Sequence, residues 1–190
     1  MIVSSVSRLT KLTGVNITLD SPIDIRYAEE IASLANDIEI RDKIGAHSFP
    51  HPYGVENAVE FIERNRDTGS VPFAVDFLIL YKNRAAGIVG LSDINFLDRK
   101  AHIGYWVGRQ FRGKGIATEA VGLACNYAFG ELKLRRLQTK VLEGNLASMR
   151  VLINNGFEVE GIEQDAFFSN DKYTSFILFS RIERIPAPMR

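Results

Sequence analysis

Residues 108–118 read GRQFRGKGIAT, and two glycines around a lysine, ahead of an apolar run, can cradle a phosphate. Three phosphate-binding patterns come close. The P-loop G-x-x-x-x-G-K-[ST] is matched from Gly108 through Lys114, but Gly115 stands where a hydroxyl should ligate Mg²⁺. Thr118 comes a helical turn too late to replace it. The dinucleotide pattern G-x-G-x-x-[GA] fails at Thr118, and the acid expected at the end of the next strand is missing. The pattern [RQ]-x-x-G-x-[GA] is satisfied in full by Gln110, Gly113 and Gly115. It describes a strand running into a helix N-terminus. Backbone N–H groups over Gln110, Phe111, Arg112, Gly113, Lys114, Gly115, Ile116 and Ala117, with the positive end of the helix dipole, would hold a pyrophosphate without metal. Arg112 and Lys114 would add positive charge at the rim. Taken alone, the loop is equally a glycine-permitted turn that opens a helix.

Other residues have chemical potential. In KAHIGYWV, an alternating strand puts His102, Gly104 and Trp106 on one face. A histidine near its reference pKa of ~6.5 is a competent base or water-relay partner at neutral pH, though a strand histidine also serves structure. Asp93, in LSDIN, is a further acidic candidate. Asn145 and Ser148 begin one helix three residues apart and so point to one side, which also suits an N-cap and a polar first-turn residue. His47 and His51 have the i, i+4 spacing of a zinc pair, but Pro50 and Pro52 preclude a helix there and no cysteine or acid cluster accompanies them. No metal site is expected, and GAHSFPHPYG reads as a substrate-side loop. Cys125, the only cysteine, lies in AVGLACNYAF and reads as a small buried hydrophobe.

The elements that must position these groups follow from periodicity. VNITL reads as a strand. The helix after it would take Ser21 as N-cap and Pro22 as its first residue, with Ile23, Tyr27, Ile31 and Leu34 at helical spacing. VENAVEFIERNRD is amphipathic and helical. PFAVDFLILY and AAGIVGLSDIN form a hairpin through KNR, and KAHIGYWV is a third strand of that group. A long helix follows the glycine loop, then the strand RRLQTKVL, a helix over NLASMRVLINNG closed by Gly156, and the strands FEVEGIEQDAFF and KYTSFILFSRI. This is one mixed α/β domain of antiparallel strands with helical crossovers in its second half. Lysine and arginine number 23, as do aspartate and glutamate; that balance argues against a nucleic-acid binder. No apolar stretch approaches the ~20 residues needed to cross a bilayer, and MIVSSVSRLTKLTG has no continuous apolar signal core, so a cytoplasmic protein is expected.

Two long motifs extend the glycine pattern. IGYWVGRQFRGKGIATEAV and NLASMRVLINNGFEVEG, with FPHPYGVENAVEFI ahead of them, resemble the GNAT-superfamily N-acetyltransferases, close to the RimJ/RimL group that acetylates protein N-termini. The resemblance covers about residues 15–183, leaving 1–14 as an N-terminal extension and 184–190 as a C-terminal tail. It implies an α/β (α+β) fold whose mostly antiparallel sheet is splayed around acetyl-CoA and flanked by helices. It places pantetheine on the backbone of Trp106 and Val107, pyrophosphate on residues 110–117, Asn145 on the pantetheine arm and Ser148 at the sulfur. Arg150 would reach the phosphates or remain a solvated helix charge.

The resemblance also implies direct transfer with no covalent enzyme intermediate, so Cys125 has no role. Many relatives carry glutamate where this chain has His102, and a second acid of RimL-like enzymes is replaced by Phe167, with Glu163 and Asp165 nearby but offset. His102, Asp93 or water is thus the expected base. An α-amine, with a pKa near 7.7–8.0, is partly neutral at pH 7, whereas a lysine amine near 10.4 is not. A site without a strong buried carboxylate therefore favours a protein or peptide N-terminus. A small-molecule amine (polyamine, aminoglycoside or amino acid) is the alternative acceptor, and a non-catalytic CoA-binding module the alternative class. A homodimer is compatible with the sequence, which locates no interface.

Overall fold

The structure is a computed structural model that describes residues 10–44, 49–65, 73–169 and 171–183. His47 and the tail 184–190 lie outside the described residues. Among the described residues, eight strands form one sheet: β1 (Thr10–Thr13), β2 (Ile17–Ser21), β3 (Val75–Tyr81), β4 (Arg84–Asn95), β5 (Lys100–Val107), β6 (Arg136–Leu142), β7 (Glu158–Ser169) and β8 (Lys172–Ile182). Their order is β1-β2-β3-β4-β5-β6-β8-β7. Among the described residues, five α-helices cover it: α1 (Ala28–Ala35), α2 (Ile38–Ile44), α3 (Val55–Arg64), α4 (Ile116–Gly130) and α5 (Leu146–Asn154).

Side-chain alternation gives the sheet two apolar faces. Leu19, Phe77, Ile79, Val89 and Ile103 form one core with Ala120, Val121 and Ala124 of α4. The small side chains of α4 let it lie close to the strands. Leu78, Leu80 and Ile88 form a second core with Ile31 and Ala35 of α1 and Ala58 and Ile62 of α3. The β3–β4 hairpin turns on two residues rather than on all of KNR. Lys82 (φ 51°) and Asn83 (φ 61°) both take positive φ, which matches the twist of the flanking strands.

Residues 10–13, within the stretch read as an N-terminal extension, pair as an edge strand with β2. Gly14 packs beside Glu119, whose carboxylate accepts the Asn16 backbone N–H at 2.9 Å and so ties this edge to α4. Ser21 and Pro22 do not start a helix, because Ser21 is still in β2. Asp24 instead accepts the Arg26 N–H at 3.0 Å and caps a short 3-10 turn over Ile25–Tyr27 before α1. The sequence reading also missed α2, a short helix separate from α1.

The feature that opens the fold is the junction of β5 and β6. These strands are parallel and pair only over Lys100–His102 against Arg136–Gln138. Beyond that, Ile103–Val107 pair with β4 alone and Thr139–Leu142 with β8 alone. The sheet splits into a V with His102 at its vertex.

Candidate functional site

The glycine loop lies at the open end of the V. Gly113 (φ 73°) and Gly115 (φ 76°) adopt the left-handed conformation, and a Cβ at either would meet nothing within 4 Å. Gly115 is the N-cap of α4 and supplies no side-chain hydrogen bond. The first N–H groups of a 15-residue helix therefore face an open concavity. That arrangement fits a pyrophosphate, and the β5 edge above it, unpaired with β6 beyond His102, fits an extended amide-bearing arm.

The charges at the loop behave differently from the sequence expectation. The Arg112 guanidinium does not stand at the rim: it donates to Val107 O (3.2 Å), Glu39 Oε2 (2.6 Å) and Asp37 Oδ2 (3.0 Å). Arg109 lies 3.5 Å from Asp37 Oδ2 and 3.4 Å from Glu39 Oε2. Arg112 thus latches the loop to α2. Lys43 and Arg112 hold the Glu39 carboxyl at about 2, well below its ordinary value. Lys114 is exposed, with its ammonium 5.7 Å from the Phe111 ring centroid. Gln110 is exposed, and Arg150 is an exposed residue of α5.

Across the V, α5 begins at Asn145, whose Oδ1 accepts the Ser148 N–H at 3.3 Å, so the capping role is present. Tyr105, missed by the sequence reading, reaches Ser148 from β5. Its hydroxyl donates to Ser148 O at 3.0 Å and lies 2.8 Å from Ser148 Oγ. With the phenol proton on the carbonyl, the serine O–H is the donor in the second bond. Burial pushes the Tyr105 phenol up to about 12, so it stays neutral. Alternation puts Tyr105 on the α4 side of the sheet and His102, Gly104 and Trp106 on the other.

His102 is exposed at the vertex, with its Nε2 2.6 Å from Gln138 Nε2. The amide's orientation is fixed by Arg136, whose Nε donates to Gln138 Oε1 at 2.9 Å. Arg136 is paired with Glu160, which also accepts from Ser180 Oγ at 2.6 Å. Gln138 therefore donates to His102 Nε2, which assigns the ring proton to Nδ1. The lone pair that a base would use is occupied. Asp93 is exposed, with φ 50°, at the bulge where the β4–β5 register shifts after Ser92. No hydrogen bond or ion pair among the described residues joins it to His102 or Ser148. Glu163 pairs with Lys140 at 3.1 Å. Cys125 is fully buried and its thiol is pushed up to about 11 by burial, which leaves it inert.

On the side away from α4, a cavity of about 390 Å³ is lined by Arg41, Asp42, Phe49, Pro50, His51, Phe167 and Ser169. A second, of about 380 Å³, adjoins Asp37, His51, Arg109 and Gln110. The acids lining them are already paired, Asp42 with Arg41 and Asp37 with the two arginines. No group of three or more His, Cys, Asp or Glu able to hold a metal occurs among the described residues. No described helix is long and apolar enough to cross a membrane.

This splayed sheet with an open glycine cradle defines an acyl-CoA-binding architecture, and a family model agrees. The chain belongs to the acetyltransferase (GNAT) domain family, whose model matches residues 18–158. It is 30% identical over 136 residues to the ribosomal-protein-serine acetyltransferase of Escherichia coli, covering 66% of this chain and 76% of that protein. It is 34% identical over 101 residues to the spermidine N(1)-acetyltransferase of the same species, covering 53% and 54%. Two other curated relatives are matched over only 58% and 34% of their lengths. Among solved structures, the microcin C7 self-immunity acetyltransferase MccE, in complex with acetyl-CoA and AMP, is 30% identical with a TM-score of 0.77 over 90% of this chain and 94% of that one. RimL, a ribosomal L7/L12 α-N-protein acetyltransferase, shares the fold at a TM-score of 0.82 and 22% identity, over 91% and 98%.

Proposed function

We propose that this protein is an acetyl-CoA-dependent N-acetyltransferase acting on the N-terminal α-amine of a protein or peptide. The observation that carries the reading is the V between β5 and β6, with a metal-free amide cradle at its mouth and the Ser148–Tyr105 pair on its far wall. Acetyl-CoA, when bound, supplies a thioester carbonyl for an amine to attack. The residues that would hold it are the amides of 110–117, the backbone of Trp106 and Val107, and Asn145. Ser148 would give a proton to the departing sulfur. As its hydroxyl turns from Tyr105, the phenol can swing its own proton from Ser148 O to Ser148 Oγ, so the serine oxygen keeps a donor. His102, a donor at Nδ1, orients rather than abstracts.

Relatives acting on ribosomal proteins and on spermidine leave both acceptor classes in view. The cavities favour the first. A polyamine needs several uncompensated carboxylates along its length, whereas the acids lining these cavities are spent on arginines. The test is calorimetry with acetyl-CoA, followed by an acceptor screen of peptides with varied N-terminal residues alongside spermidine and an aminoglycoside. Binding without added Mg²⁺ and transfer to peptides are expected. Strict magnesium dependence, or transfer to spermidine alone, would overturn the reading.

A further inference from the structure

The run VDFLILY carries one acid in an otherwise apolar strand, and that acid, Asp76, has none of the roles assigned above. It shares a face with Leu78 and Leu80, and the register sets it in one row with Gly90 on β4 and Gly104 on β5. Its carboxylate reaches sideways across the sheet: a Cβ on Gly90 would lie 1.9 Å from Asp76 Oδ1 and 3.0 Å from its Cγ. A side chain at position 90 would displace it. One strand further on, a Cβ on Gly104 would meet nothing within 4 Å. The neighbouring row, Leu78–Ile88–Trp106, packs into the second core, while the row on the other side ends in Ser92 and His102. The carboxylate thus lies about one strand spacing, roughly 4.8 Å, from an open floor on the strand that borders the V.

We propose that Asp76 is the acceptor-binding carboxylate of this site: it takes a hydrogen bond from the incoming amine over Gly104 and then accepts its proton. This rests on the acetyltransferase reading above. Part of Asp76 remains open to solvent, as an entering ligand requires. Burial nonetheless pushes its carboxyl up to about 6, against the lowering influence of Asn65 and Arg64 at the end of α3. A group of that strength is ionised at pH 7 and far more basic than an ordinary aspartate. One N–H proton passes to Asp76 Oδ1 as the N–C bond forms. The C–S bond breaks with its electron pair on sulfur, which takes the Ser148 proton. Solvent reprotonates Ser148 and receives the proton from Asp76. The bare floor at Gly104 leaves width for a peptide main chain beside the amine, and a single carboxylate suits a single amine.

The experiment compares wild type, Asp76→Asn and Gly90→Ala, using steady-state kinetics with a peptide bearing N-terminal serine and calorimetry with acetyl-CoA. Where the acceptor screen shows spermidine to be the substrate, spermidine is the amine varied. Asp76→Asn is expected to lower kcat/KM for the amine at least ~100-fold, with the acetyl-CoA Kd within about threefold. Gly90→Ala should lower it about 10-fold by pushing the carboxylate aside, and should add nothing in an Asp76→Ala background. In wild type bound to CoA, the ¹³C carboxyl resonance of Asp76 should move when the amine is added. An Asp76→Asn enzyme within threefold of wild type, or a silent resonance, overturns the role of Asp76 alone. A wild type that acetylates neither amine overturns the acetyltransferase reading and this one together. Should Asp76→Asn fail to fold, Gly90→Ala and the resonance decide.

Discussion

On the cofactor side of the V, the groups proposed to hold acetyl-CoA come mainly from two short stretches, 106–117 and 145–148, and most are backbone groups around a helix start. On the acceptor side, the groups proposed are side chains from α2, residues 49–51, β3 and the end of β7. Backbone recognition constrains sequence strongly, because only glycine takes φ near +75° at low cost where a ligand must approach. Side-chain recognition from scattered elements leaves no comparable spacing. The cofactor half is therefore legible as a motif, and the acceptor half is not.

That contrast can be broken from either side. Ser148→Ala should lower kcat by about 100-fold while acetyl-CoA affinity holds. Tyr105→Phe should cost about 10-fold alone and nothing further in the Ser148→Ala background, because it acts only through that hydroxyl. Additive losses in steady-state turnover would detach Tyr105 from the mechanism. Next in size, Gly115→Val should weaken acetyl-CoA binding by about 10- to 100-fold in calorimetry, since a β-branched residue in the left-handed region costs about 1–3 kcal/mol. Undiminished affinity would move the pyrophosphate elsewhere.

The smallest effect concerns the latch between the two halves. Glu39 is held at about 2 by Lys43 and Arg112, below its ordinary value of 4.5. Its pairing therefore stabilises the fold fully above pH 4.5 and is lost as pH falls from there toward 2. The group is well exposed, so solvent screening limits its worth to about 0.2–1 kcal/mol. Glu39→Gln should lower Tm by about 1–3 °C at pH 7, with the gap closing in acid scans. An equal gap at pH 7 and pH 3 would show that the latch is not electrostatic.

Arg112 shows how far sequence reading reached in the cofactor half. Its position in the motif was legible, but the direction of its guanidinium was not, because Asp37 and Glu39 lie some 70 residues away and compete for it. His102 was found from strand alternation. Its tautomer depends on Gln138, Arg136 and Glu160, three residues on two other strands that only the sheet brings together. Asp76 left one local signal, an acid within an apolar strand, which names a buried carboxylate without saying what it faces.

The sequence by itself determined the order of most of the helices and strands, the glycine cradle at Gly113 and Gly115, and the start of α5 at Asn145. Each follows from periodicity, capping or backbone conformation within a few neighbouring residues. The tertiary structure alone decided that residues 10–13 join the sheet and that β5 and β6 part after His102. It likewise set Tyr105 against Ser148 and laid the Asp76 carboxylate across Gly90. Those outcomes depend on strand register and on charges meeting across long separations, and no local propensity encodes either.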